Sequence, residues 1–204
     1  SYVMLLTDDQ HFINSLSNTK TILKKISKEP KKLSYWSHVC PNFKYPYNFK
    51  KKLSSSDDLT FRWDTKQYNR SSLFAYRFHV DGTIYHKTSL YELLKKTIYH
   101  LPTTLEGVGL WESRFRGYFR YGFMSIKRIV VGIQANNIQT MSDTPHANFN
   151  IDLLMEAYCA GFRMQNDYDN FDDLKYIYIP KKLKFKNPKL GLKDINYNDL
   201  CKYI

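Results

Sequence analysis

GYFRYGFMSIKRIVVGIQANN, residues 117–137, is the stretch on which the fold class turns. It is dense in aromatic and β-branched side chains, which suit a pleated, half-buried surface. It is also too long for one average strand. A turn or bulge is expected near Gly122, followed by a strand from about Met124 to Ala135. Upstream, LTFRWD (59–64) sets Leu59, Phe61 and Trp63 against Thr60, Arg62 and Asp64, the period of two expected of a strand. LFAYRFHV (73–80) repeats it, with Phe74, Tyr76, Phe78 and Val80 opposed to Arg77 and His79. Asp81-Gly82 then supplies a tight turn, because glycine tolerates positive φ.

One helix is expected between these strands and the 117–137 run. Ser89 is placed as its N-cap in a capping box with Glu92. Leu90, Leu93, Leu94, Ile98 and Leu101 form its apolar stripe, and Pro102 ends it. A loop is expected around Gly107 and Gly109. Downstream, NFNIDLLMEAYC (148–159) alternates as a half-exposed strand, with a helix as the main alternative. KYIYIPKKLKFKNPK (175–189) reads as a further strand in which Pro180 marks an edge or a bend.

Residues 1–56 differ in composition. Lys20, Lys24, Lys25, Lys28, Lys31, Lys32, Lys44 and the triplet Lys50, Lys51 and Lys52 face only Glu29 after the opening Asp pair. A short amphipathic helix is expected over Asn18 to Lys28, with Ile22 and Ile26 on one side. Pro30, Pro41 and Pro46 keep the chain beyond that helix extended. The segment YWSHVCPNFKYPYNFKKK (35–52) interleaves rings with lysines, as single-strand-binding surfaces do. It reads equally as a strap packed onto the domain.

Over the whole chain of 204 residues, 31 Lys+Arg against 19 Asp+Glu give a formal net charge of +12. Such a field favours polyanionic partners, nucleic acid first. Expected contacts are Lys24, Lys25, Lys28, Lys31, Lys32, Lys50, Lys51 and Lys52 in the arm. Arg114, Arg116, Arg120, Lys127 and Arg128 join them around the aromatic run. The C-terminal run Lys181, Lys182, Lys184, Lys186, Lys189 and Lys193 forms a second footprint. Each group reads otherwise as solvated surface, and edge lysines also discourage aggregation.

Cys40, Cys159 and Cys201 are odd in number and widely spaced, which points away from a disulfide framework and toward a reducing compartment. No membrane span is expected. His79 and His86 lie at no standard metal spacing, and neither a metal nor a cofactor is expected. Asp167, Asp169, Asp172 and Asp173 cluster without the ligand alternation of an EF-hand. No phosphate loop, nucleophile elbow or Cys/His pairing stands out, so the chain reads as a non-enzyme. A metal-dependent nuclease would require Asp152, Glu156, Asp173 or Lys175 to converge.

LTFRWD and LFAYRFHV, then TSLYELLKK (88–96), then LWESRFRGYFRYGFMSIKRIVVGIQANN (110–137), resemble the first half of capsid proteins of small single-stranded DNA viruses, circovirus-like or densovirus-like. Tyr121 to Ile133 carries the basic–apolar strand of that pattern, Phe149 to Cys159 the next strand, and YIYIPKKLKFKNPK (176–189) the basic strand after it. The resemblance spans about residues 59–190. It implies a mainly β fold, an antiparallel jelly-roll sandwich, here with one short helix and an extended basic arm. The arm would occupy residues 1–56 and the β domain 57–204. It further implies a self-assembling homo-oligomeric icosahedral shell around single-stranded DNA, found in the virion and in the host nucleus or cytoplasm. The residues alone also support an RNA-binding structural protein of an organellar ribosome or another ribonucleoprotein.

Overall fold

A computed structural model describes residues 1–7, 10–16, 18–41, 54–57, 60–70, 72–95, 97–133, 149–165, 177–178 and 183–204, with backbone alone at 54–57, 102, 133 and 177–178. The chain divides into two compact units, Ser1–Gly132 with Asp173–Tyr176, and Ile133–Asp172 with Ile177–Ile204.

The first unit is built on a mixed six-stranded sheet. Its strands are β1 (Tyr2–Leu5), β3 (Leu33–Trp36), β4 (Ser54–Asp57), β5 (Thr60–Asp64), β6 (Thr83–His86) and β7 (Tyr121–Ser125). They lie in the order β1-β6-β3-β7-β5-β4. Every neighbouring pair is antiparallel except β3 and β7, which run parallel with Leu33 beside Tyr121 and Tyr35 beside Phe123. A separate antiparallel pair joins β2 (Gln10–Phe12) to β8 (Val130–Ile133).

Helix α1 (Thr19–Lys28) buries Ile22 and Ile26 against Leu33, Tyr35, Ile84 and Phe123. The four-residue spacing of the two isoleucines puts both on one side of the helix. Helix α2 (Lys87–Leu94) follows β6 directly and lays Leu90 and Leu93 on Phe78, Tyr85 and Phe119. Helix α3 (Pro102–Phe115) opens with proline at its first position, where no amide partner is lost. The Thr104 hydroxyl there accepts from the Leu101 N–H at 2.9 Å.

The second unit comprises α4 (Ile151–Cys159), β9 (Arg163–Gln165), a two-residue strand β10 (Ile177–Tyr178), β11 (Lys184–Asn187) and β12 (Leu192–Asn196). Strand β11 lies between β12 and β9, antiparallel to both. Its alternation sends Phe185 into a core with Ala157, Phe162, Leu183 and Leu200.

The jelly-roll expectation is therefore overturned: the fold is mixed α/β with a parallel pair, four α-helices and small separate sheets among the described residues. Nor does the chain start with an extended arm, since residues up to Trp36 supply β1, β2, α1 and β3, the last at the middle of the main sheet.

The local differences have identifiable causes. LFAYRFHV is not a strand: a 3₁₀ turn over Leu73–Ala75 leads into irregular backbone. Phe74, Arg77, Phe78 and His79 are all buried, which a half-exposed strand cannot achieve. Gly122 marks no bulge but sits inside β7 opposite Trp63, where an added Cβ would come within 2.1 Å of the indole. The strand expected from Met124 to Ala135 is interrupted over 126–129, where Arg128 turns inward and its Nε donates to the Val130 carbonyl at 2.9 Å.

Ser89 is no cap. Helix α2 already begins at Lys87 and ends at Leu94, leaving Ile98 and Leu101 exposed beyond it. The stretch expected to loop at Gly107 and Gly109 is the body of α3. Residues 151–159 form a helix rather than a strand, because the Asn150 side chain accepts from the Asp152 and Leu153 amides and Leu153, Leu154 and Ala157 share its inner face. The Asp81-Gly82 turn agrees with expectation, with Gly82 at φ +61°.

Candidate functional site

Two groupings in the first unit carry chemistry. The first is basic and superficial. With Ile22 and Ile26 facing the sheet, the opposite side of α1 exposes Lys20, Lys24 and Lys28. Spaced four residues apart, they form one row with a step of about 6 Å. None of the three has a carboxylate partner among the described residues. Lys25 points elsewhere: its Nζ donates to the Thr60 hydroxyl at 2.5 Å and lies 6.0 Å from the Phe123 ring centre.

More lysines follow the helix in the chain. Lys31 and Lys32 are exposed, and Lys31 pairs with Glu92 at 3.1 Å. Lys31 and Arg116 both approach the Tyr118 ring, at 5.9 and 5.4 Å from its centre, so the end of α1 and the end of α3 share one cationic surface. Glu92 offsets part of this charge. The Tyr118 hydroxyl and Lys31 together hold its carboxyl below the usual range. Next to Arg116, α3 exposes Trp111 and Phe115, one turn apart and 77% and 86% accessible. The four-residue spacing puts the two rings on one side of the helix.

The remaining expected contacts separate. Arg114 is half-buried with its guanidinium 3.4 Å from the Ala75 carbonyl. Arg120 is tied to Asp64 through Nε at 2.9 Å, and this contact holds the Asp64 carboxyl below its ordinary pKa. Arg128 is buried, while Lys127 is exposed. In the second unit Lys186, Lys189 and Lys193 are exposed and Lys184 is half-buried. Lys44, Lys50, Lys51, Lys52, Lys181, Lys182, the Asp167–Asp173 cluster and Lys175 lie outside the described residues, whereas Asp152 and Glu156 are exposed on α4.

The second grouping is buried. His38 and His79 pack with Trp36 and Tyr76: the His79 ring is 4.5 Å from Trp36, 4.9 Å from Tyr76 and 5.3 Å from His38, centre to centre. Burial, reinforced by His79 and Arg128, drives the His38 pKa well below 6.5, so His38 is a neutral imidazole. The Tyr85 hydroxyl clamps the backbone at His79, accepting from its N–H at 2.7 Å and donating to its carbonyl at 2.9 Å.

Glu106 reaches this cluster from α3. Gly109, one turn further on, allows the approach: a Cβ there would stand 2.5–2.8 Å from three Phe78 ring carbons. Glu106 Oε1 thereby comes to 2.8 Å from His79 Nδ1. Asp81, fixed in the Gly82 turn, accepts from the Thr7 hydroxyl at 3.3 Å on the same side. Sequence spacing does not reveal this grouping, since Glu106 is remote along the chain and the only local signal is the Asp-Gly turn after His79. Comparison with protein-family models, curated proteins and solved structures returned no significant match.

Proposed function

We propose that the chain binds single-stranded nucleic acid along the surface running from α1 to the end of α3. The observation that carries this reading is the row Lys20, Lys24 and Lys28, exposed and without carboxylate partners among the described residues, on a helix whose other side is anchored in the core. Unpaired ammonium groups at regular spacing attract a phosphate backbone through counterion release, without needing base recognition. Trp111 and Phe115 supply rings on which unpaired bases stack, the feature that favours single strands over a duplex. The shell-forming expectation loses its support with the jelly roll. The nucleic-acid expectation rests on charge and exposed rings and stands without it.

Fluorescence anisotropy of labelled single-stranded DNA, RNA and duplex across a salt series tests this. Replacing Lys20, Lys24 and Lys28 together by Gln is expected to reduce the log–log salt slope by about 2, at roughly 0.7 per phosphate contact on a single strand. Trp111→Ala is expected to weaken single-strand binding by about 1–3 kcal/mol while leaving that slope unchanged. A wild-type affinity that ignores salt, or a triple variant with an unchanged slope, refutes the proposal.

A further inference from the structure

We infer that His79, Asp81 and Glu106 bind a divalent transition-metal cation of the Zn²⁺ class. One ligand atom from each residue can be chosen so that all three lie within 4.8 Å of one another. His79 is 3% exposed, and its Nε2 has no hydrogen-bond partner among the described residues. On the other ring nitrogen, Nδ1 and Glu106 Oε1 face each other at 2.8 Å without the alignment of a hydrogen bond. Two buried polar atoms left in this relation are costly unless something else satisfies both. A shared cation does so: two donors with bonds of about 2.0–2.2 Å to one tetrahedral ion stand about 3.4 Å apart, a separation this 2.8 Å pair reaches by a small outward shift of the Glu106 carboxylate.

The surroundings hold these groups in place. Tyr85 fixes the His79 backbone, the close packing of Gly109 on Phe78 sets the height of Glu106 on α3, and Gly82 fixes the turn that carries Asp81. Two carboxylates beside a buried imidazole suit a dication in charge. One nitrogen with oxygen donors selects zinc-like transition metals over Mg²⁺ or Ca²⁺, which prefer oxygen alone. Three protein ligands leave a coordination position for water. The Glu106 side chain, 26% accessible, gives the ion a way in from solvent.

The test uses the full chain. Calorimetric titration with Zn²⁺ and visible spectroscopy with Co²⁺ are expected to show one saturable site, with Mg²⁺ failing to compete. His79→Gln and Glu106→Gln are each expected to weaken binding by more than about tenfold, the lower end of the loss seen even for residues that only support ligands. Glu106→Gln serves as the decisive variant if His79→Gln does not fold, since Glu106 is only partly buried. His100→Gln, at an exposed histidine that is not one of the three ligands, is expected to leave the affinity unchanged. A folded wild-type chain that takes up neither Zn²⁺ nor Co²⁺ overturns the inference, and would leave a histidine–carboxylate contact only. Uptake undiminished by Glu106→Gln overturns it as well.

Discussion

Gly107 and Gly109 sit two residues apart in α3, and replacing each by alanine is expected to move stability in opposite directions. Both substitutions remove a glycine from a helix interior, which favours the folded state by about 0.5–1 kcal/mol. Around Gly107 a new Cβ meets nothing within 4 Å, so the propensity gain is all that remains. Around Gly109 the Cβ falls 2.5, 2.7 and 2.8 Å from carbons of Phe78. That ring cannot retreat: it is fully buried and stacked on Tyr85 at 5.4 Å. Overpacking of this kind costs about 1–3 kcal/mol. Because the propensity term is common to both variants, their difference isolates the steric cost, also about 1–3 kcal/mol in favour of Gly107→Ala. At roughly 2–4 °C per kcal/mol for a chain of this size, the two melting temperatures should separate by about 2–12 °C. Denaturant unfolding followed by circular dichroism gives the same difference as a shift in midpoint at constant slope. Equal stabilities would refute the argument that Gly109 exists to let α3 approach Phe78, and with it the account of how Glu106 reaches His79.

Two further expectations concern the first unit. Asp64→Asn keeps a side-chain acceptor for the Lys66 N–H at the 3₁₀ turn Thr65–Gln67 but removes the charge facing Arg120. With Arg120 substantially exposed, the loss at neutral pH should be only about 0.5–1 kcal/mol. Since the folded carboxyl is held below its ordinary value, the pair stabilises above about pH 5 and its contribution vanishes as pH falls below about 4, through the folded pKa. Wild-type and variant stabilities measured between pH 7 and pH 3 should therefore converge at the acid end, and a gap that widens there would contradict this sign. Tyr85→Phe strips the His79 N–H and carbonyl of their shared partner inside the core. Leaving buried polar groups unsatisfied should cost about 1–3 kcal/mol by chemical denaturation, and a neutral variant would show that the hydroxyl is dispensable.

The sequence was legible where structure is local. The isoleucine spacing located α1 and its buried side, LTFRWD became β5, and Asp81-Gly82 became a turn. It misled where a residue serves a distant partner. Gly122 looks like a strand breaker until Trp63 is placed over it, and Gly109 looks like a loop until Phe78 lies beneath it. Arg77 and His79 read as the polar side of a strand, yet both are buried. Arg77 Nε donates to the Thr65 hydroxyl at 3.2 Å, a partner that no period of two reveals. The candidate sites divide in the same way. The lysine row follows from helical spacing within one segment, whereas the histidine–carboxylate cluster requires α3 to be docked on the segment that carries His79 and Asp81.

The parallel pairing of β3 with β7 also sets the order in which the main sheet can form. Leu33 meets Tyr121 and Ser34 meets Gly122, so the middle of the sheet joins segments separated by most of the first unit. Only β4 and β5 are neighbours both in the chain and in the sheet. Closing so long a loop carries an entropy cost that grows with the logarithm of its length, incurred before the contact repays it. Folding is then expected to be slow, in the manner of topologies dominated by distant pairings. On a translating ribosome β1, β3 and β6 would wait for β7 before the sheet could close, and α1 would stay without the Phe123 ring against which it packs. A nascent chain released before residue 125 should remain open to proteolysis, and one extended past β7 should become resistant as the sheet is completed.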